Sequence, residues 1–219
     1  MTILEKLFLL RDGKYAAFSA RLIPTVSPDR FIGVRSPQLR MLAKELKNSS
    51  SEFLCELPHL YHEENMLHAY LLCEEKKYAI LVEETERFLP YIDNWAVCDS
   101  LAPRAFARHK EELLPKIREW MASEHEYTVR FGIGMLMRHY LDADFREEHL
   151  RWVAAIDREE YYIKMMQAWY FATALAKQWD ATLPVMDSLK GWVRQKSVQK
   201  AHESFRVSDS HKTILRKLR

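Results

Sequence analysis

Apolar residues recur at intervals of three and four along most of this chain, the spacing of one face of an α-helix. The pattern is clear within residues 67–71, 113–121 and 163–174. No comparable stretch alternates apolar and polar residues with the period of two that a half-buried strand shows. The chain is therefore expected to fold from helices alone.

Glycine and proline divide this pattern into short segments. Only five glycines occur in 219 residues, and most of the eight prolines fall between the apolar segments. Two predicted helix starts carry capping chemistry: Ser36 precedes Pro37, and Ser208 or Asp209 precedes the last helix. The pattern predicts helices near residues 3–10, 13–22, 36–48, 51–56, 63–75, 78–88, 93–106, 110–122, 126–140, 146–155, 159–178, 182–190, 194–204 and 209–218.

Short connectors between these helices favour antiparallel packing of neighbours. Helix pairs of about 35–40 residues are in the range of HEAT-like repeats. We therefore expect one domain, residues 1–219, with an all-α fold: an α-α superhelix, or solenoid, of HEAT-like helix pairs with a concave groove. An irregular helical bundle is the alternative, because no sharp sequence repeat is visible.

Charge is unevenly distributed behind a formal net charge of +2. Residues 1–100 carry a net charge of −3, whereas residues 101–219 carry +5. From Leu189 to Arg219 there are nine basic residues and two acidic ones, which suits a polyanion because each neutralised phosphate releases counterions. An ordinary solvated basic tail is the alternative.

The sequence carries no strong sign of export, membrane insertion or metal binding. The first apolar segment is broken by Glu5 and Lys6, and no run approaches the roughly 18 apolar residues of a membrane span. The three cysteines form no CxxC pair. Cys98 lies beside Asp99, but no activating base is evident and a small core residue is favoured. We expect a cytoplasmic, monomeric protein without metal or cofactor.

Trp95 and Asp99 stand out because a separation of four places both on one face of a helix. The alternative is that Trp95 packs in the core while Asp99 caps a helix or pairs locally. Familiar catalytic signatures such as a phosphate-binding glycine loop, HExxH and GxSxG are absent from the sequence.

Arg130 follows Trp95 by 35 residues, and Trp169 follows Arg130 by 39. Each interval is about one helix pair, so in a solenoid these residues would occupy equivalent helices and line one concave surface. Two indoles, a carboxylate and a guanidinium can receive a phosphate backbone and a cationic group beside it. The alternatives are a local salt bridge for Arg130 and a core position for Trp169.

Four segments together resemble the AlkD-like DNA alkylation repair glycosylases, which are built from HEAT-like repeats. They are the string IGVRSPQLR at 32–40, the Trp95 and Asp99 pair, Arg130 in its helix, and the string YYIK at 161–164 leading to Trp169. The resemblance covers nearly the whole chain. It implies a monofunctional enzyme that grips duplex DNA and excises cationic alkylated purines such as 3-methyladenine and 7-methylguanine.

The resemblance also implies a role for each matched residue. Asp99 would be the catalytic carboxylate, Trp95 and Trp169 would face the deoxyribose and backbone of the lesion, and Arg130 would contact the nearby phosphate. A tyrosine that contributes to the groove in one well-studied member of the family is matched here by Leu22. The predicted DNA-binding residues are Arg35, Ser36, Arg138, Lys164, Lys190, Arg194, Lys196 and Lys200, with Arg35 and Ser36 on the other strand.

Two other functions stay open on the sequence alone. A catalytically silent HEAT-repeat protein could bind duplex or structured DNA with the same basic groove. A helical scaffold for protein partners is the commonest use of such repeats, and it predicts no special affinity for double-stranded DNA containing alkylated bases.

Overall fold

A computed structural model describes residues 1–218, so Arg219 of the basic segment lies outside the described residues. Within that range the chain forms fourteen α-helices and five 3-10 helices and no strand, which confirms the predicted all-α class. The α-helices are α1 (Ile3–Leu9), α2 (Gly13–Leu22), α3 (Ser36–Leu46), α4 (Ser51–Cys55), α5 (His62–Glu74), α6 (Tyr78–Phe88), α7 (Trp95–Ser100), α8 (Lys110–Met121), α9 (Glu126–His139), α10 (Glu147–Ala154), α11 (Tyr161–Lys177), α12 (Trp179–Thr182), α13 (Gly191–Glu203) and α14 (Asp209–Leu215). The 3-10 helices are Pro28–Arg30, Leu89–Tyr91, Arg104–Arg108, Leu183–Ser188 and Arg216–Leu218.

The chain divides into two compact units, Met1–His109 and Lys110–Arg219, here called unit 1 and unit 2. The single repeat domain expected over residues 1–219 stays a prediction. Within residues 1–218, none of the helices combines the length and the apolar composition that crossing a membrane requires.

Unit 1 is organised around α5. Ten of its thirteen residues are buried, so it is surrounded by other elements rather than exposed along one face. Helices α1, α3, α6 and α7 all pack against it. The apolar positions predicted within residues 67–71 belong to this core.

A buried carboxylate of α5 fixes the chain segment that precedes α3. The side chain of Glu63 accepts hydrogen bonds from the backbone N–H groups of Ile32, at 2.9 Å, and Gly33, at 2.8 Å. Burial raises the pKa of Glu63 although these amides favour its charged form. Gly33 has a φ of +94°, and a Cβ there would lie 2.0 Å from the carbonyl oxygen of Asp12, so only glycine fits.

Unit 2 contains the same kind of stacking. Helix α9, with eleven of its fourteen residues buried, packs against α8 and α11, and α11 packs in turn against α13. At Gly132 a Cβ would approach the backbone nitrogen of Met121 to 3.0 Å, which explains the close contact of α8 with α9. In both units alternate helices stack on one another, as expected for an α-α solenoid.

Some predicted boundaries were wrong for local reasons. The helix predicted over 93–106 ends at Ser100, because Pro103 disfavours helical backbone just before it, and a 3-10 helix follows. Pro184 similarly lies within a 3-10 helix over Leu183–Ser188 rather than an α-helix. Ser36 begins α3 without capping it, whereas Ser208 accepts from the N–H of His211 at 3.2 Å and confirms the predicted cap.

Candidate functional site

Helix α7 is only six residues long, and its start is held by buried polar contacts. The side-chain oxygen of Asn94 accepts from the N–H groups of Ala96 and Val97, both at 3.1 Å. The amide nitrogen of Asn94 donates to Asp93 at 2.8 Å, and Asp93 accepts from Arg30 at 3.0 Å. Since Asn94 is fully buried, these contacts fix where α7 begins and therefore where Trp95 and Asp99 lie.

Trp95 is half-buried and held in one orientation. Its ring packs against the apolar cluster of Ile23, Val26 and Phe31. Its indole N–H donates to the backbone carbonyl of Leu22 at 3.2 Å. Leu22, which the sequence resemblance matches to a groove tyrosine of one family member, is 51% exposed, so this position beside Trp95 faces solvent.

Asp99 lies in the last turn of α7 and is partly exposed. The carbonyl end of a helix carries partial negative charge, and the last turn of α7 contains no basic residue to offset it. An ionised Asp99 adds to this negative potential, which favours a cation at this end of the helix. The neighbouring thiol of Cys98 is 2% exposed, as expected for a core residue rather than a nucleophile.

Arg130 in unit 2 is 4% exposed and donates to the backbone carbonyl of Tyr162 at 2.8 Å. The N–H of Tyr162 donates to Glu126 at 3.1 Å. Side chains one turn apart on α9 therefore hold both backbone groups of one residue in the first turn of α11. This places Arg130 as a positioning residue for α11, and the phosphate contact predicted for it stays a prediction.

Trp169 lies on α11 and is 39% exposed, so it is not a core residue. It lines a cavity of about 240 Å³ together with Lys200 and Arg206. Neither cation forms an ion pair with any residue that the structure describes. The fold of unit 2 thus brings together two predicted site residues, Trp169 and Lys200. It adds Arg206, which the sequence distinguished only as part of a basic segment.

The model of the family described as DNA alkylation repair enzyme matches residues 3–169, about three quarters of the 219 residues. The chain belongs to the DNA alkylation repair enzyme family. No curated protein sequence matches it. The matched range includes Trp95, Asp99 and Arg130 and ends at Trp169, and the family implies DNA as the partner.

Most of the other residues that the sequence predicted to bind DNA already form ion pairs or hydrogen bonds within the protein. Ion pairs join Arg35 to Asp12 at 2.9 Å, Lys164 to Glu159 at 2.9 Å, Lys190 to Asp157 at 2.5 Å and Arg194 to Asp187 at 3.0 Å. Lys196 donates to Gln199 at 2.9 Å, Arg138 is exposed on α9, and Ser36 is partly exposed. Exposed pairs contribute only about 0–1 kcal/mol, so a phosphate can displace such a carboxylate.

The sequence missed a group of cations in unit 1. Two of them, Arg40 and Lys44, lie on α3, whereas the others follow α5 and α7 much later in the chain. Because residues 1–100 carry a net negative charge, counting charges along the chain could not reveal a local basic surface. Only the packing of α3, α5 and α7 brings these residues to one cleft. Within residues 1–218, no group of three or more His, Cys, Asp or Glu side chains is placed to hold a metal ion.

Proposed function

We propose that this protein is a monofunctional DNA glycosylase that hydrolyses the N-glycosidic bond of cationic alkylated purines, such as 3-methyladenine and 7-methylguanine, in duplex DNA. One observation carries the proposal: α7 presents an oriented indole at its first residue and a carboxylate at its negatively polarised end. Membership of the DNA alkylation repair enzyme family supports it.

The chemistry needs little more than charge. An N-alkylated purine already bears positive charge, so it can leave as a neutral base without being protonated. Its departure leaves an oxocarbenium-like sugar. An ionised Asp99 near C1′ would stabilise that developing cation and orient the attacking water.

The aromatic rings add selectivity for the lesion. A cation over an indole face gains roughly 0.5–2 kcal/mol, and a normal base lacks that positive charge in its ground state. Trp95 would supply one such ring from unit 1. In unit 2, Trp169 would lie against the DNA backbone, with Lys200 and Arg206 beside it to contact phosphates.

The test is release of methylated purines from methylated duplex DNA by the wild type and by Asp99→Asn. We expect the single-turnover rate to fall about 10²–10³-fold, the usual cost of removing a preorganised electrostatic group. Affinity for the duplex should stay similar or rise slightly, since a negative charge is lost. Asp180→Asn, which makes the same change at an exposed position on α12, should leave the rate unaltered.

A second function has its own support. The resemblance matches Leu22 to a groove tyrosine of one family member, so an aromatic contact with the lesion would be missing here. Arg130 is buried against Tyr162 rather than presented to a lesion. Both features suit a protein that binds duplex DNA without excision. A wild type that binds the duplex but releases no methylated purine would establish this alternative. A protein scaffold would instead bind the duplex no more tightly than a neutral protein of the same size.

A further inference from the structure

A cleft of about 800 Å³ lies in unit 1 beside the ends of α3, α5 and α7. Its cationic lining residues are Arg40, Lys44, Lys76, Arg104 and Arg108. Two carboxylates, those of Glu74 and Glu75, also line it, so five cations face two anions and the formal net charge is +3. All five cations are exposed at the surface.

None of these five side chains forms an ion pair with a residue in the described part of the chain. Two acids close to these cations in the chain, Glu45 and Glu75, have other partners. Glu45, next to Lys44 in the chain, binds Lys6 at 2.5 Å. The carboxylate of Glu75 accepts from the backbone N–H groups of Lys76 and Lys77, both at 2.7 Å. The fold therefore gathers five cations with only two acids beside them, and the remaining net charge of +3 favours an anion from outside.

The cleft is also partly preorganised and is continuous with α7. The guanidinium of Arg40 lies over the ring of Tyr70, 5.0 Å from its centroid, which orients that side chain. The hydroxyl of Tyr70 is 3.5 Å from that of Ser100, the residue that follows Asp99 and lines the cleft. An anion in the cleft is thus held next to the helix that carries the candidate carboxylate.

We propose that this cleft binds successive phosphates of a duplex DNA backbone, next to the site on α7. The choice of DNA as the polyanion rests on the proposed function. Arg40 and Lys44 are one turn apart on α3, a rise of about 6 Å, and Arg104 and Arg108 bound a 3-10 helix. Cations spread over three elements suit an extended chain of phosphates better than one small anion. The planar guanidinium groups suit bidentate contact with phosphate oxygens.

The chain offers a closely matched pair of double variants. Lys44→Gln with Lys76→Gln removes two lysines that line the cleft. Lys47→Gln with Lys77→Gln removes two exposed lysines from the same segments that do not line it. Binding to a short unmethylated duplex is measured by fluorescence anisotropy between about 50 and 200 mM salt. Thermal unfolding by circular dichroism confirms that each variant is folded.

We expect the cleft pair to weaken duplex binding about tenfold at the lower salt concentration. The slope of log K against log salt should become shallower by nearly 2, since each lost phosphate contact contributes about 0.9. The control pair should change Kd less than twofold and leave the slope unaltered. Equal changes in both pairs would overturn the proposal, because they would reflect only overall charge, and so would no change in either.

Two further arms define the ligand. The cleft pair should lose less affinity for a single strand of the same sequence than for the duplex. A greater loss of affinity for the single strand would contradict the duplex assignment. Inorganic phosphate should compete only weakly, and tight competition would indicate a site for one small anion. Because the duplex is unmethylated, none of these results depends on excision. If the glycosylase proposal is wrong, the wild type will release no methylated purine from methylated DNA, or Asp99→Asn will release it as fast as the wild type.

Discussion

Leu22, which the sequence resemblance matches to a groove tyrosine of one family member, lies beside the candidate site. Its carbonyl holds the indole of Trp95, while its side chain is 51% exposed. A larger side chain here would meet solvent rather than the core. A tyrosine should therefore be accommodated at little cost in stability and add an aromatic surface next to Trp95.

We expect Leu22→Tyr to tighten binding of a duplex containing a cationic lesion by roughly 2- to 13-fold, the value of one added aromatic contact of about 0.5–1.5 kcal/mol. Leu60→Tyr is the control, because Leu60 is also an exposed leucine, at 62%, whose carbonyl accepts a side-chain hydrogen bond. Fluorescence anisotropy with lesion-containing and unmodified duplexes provides the measurement. Equal gains from both variants would mean that the effect is not specific to the neighbourhood of Trp95.

The placement of candidate site residues could be predicted from the sequence only where it depends on residues close together in the chain. The spacing of Trp95 and Asp99 predicts a shared helix, and both do lie on α7. The contact of Arg130 with the carbonyl of Tyr162 was not predictable, since it depends on how α9 and α11 pack. The exposure of Trp169 was likewise undetermined, because an apolar ring at helical spacing fits a core or a surface equally well.

At the scale of elements, α7 depends on its cap more than a long helix would. A six-residue helix makes few internal hydrogen bonds, and Asn94 satisfies two of its first amides. The sequence predicted one helix over 93–106, and Pro103 is the local signal that it ends early. The short helix places the candidate carboxylate at a helix end rather than in the middle.

We expect Asn94→Ala to cost about 1–2 kcal/mol of unfolding free energy and to reduce the excision rate of the folded protein, because α7 loses its fixed start. Ser208→Ala removes the cap of α14, with a similar loss of stability of about 1 kcal/mol and no effect on the rate. Urea unfolding and single-turnover excision separate the two effects.

Asn94→Ser retains a capping oxygen and should recover most of the excision rate. If the rate simply follows the unfolding free energy in all three variants, the cap has no separate role in placing the site.

At the scale of the whole molecule, sequence composition gives the total charge and not its arrangement. The basic segment from Leu189 was visible as a run, and the structure shows that two of its cations, Lys190 and Arg194, form ion pairs, while Lys200 lies beside Trp169. The cleft cations of unit 1 were hidden by the acidic residues around them. The same limit applies to buried histidines, because a sequence shows that they are present and not that they are desolvated.

Three histidines in unit 1 make its stability depend on pH. Burial lowers the pKa of His68 to about 2 and the pKa values of His59 and His62 to about 4. His68 is enclosed between His59, 2.9 Å away between ring nitrogens, and the stacked ring of Phe88. These side chains are neutral in the folded state at neutral pH, whereas in the unfolded chain they protonate near the ordinary pKa of about 6.5.

The unfolding free energy is therefore unaffected by these histidines above about pH 6.5. It falls as the pH drops from about 6.5 toward 4, because only the unfolded chain takes up protons in that range. Each histidine adds up to about 1.4 kcal/mol per pH unit to the slope of the unfolding free energy. Urea unfolding at a series of pH values measures this slope. His68→Gln should be less stable at every pH, because the stacking on Phe88 is lost, yet its slope between about pH 6 and 4 should be shallower by about one histidine. A variant that is destabilised but keeps the wild-type slope would show that His68 takes up its proton in the folded state as readily as in the unfolded chain.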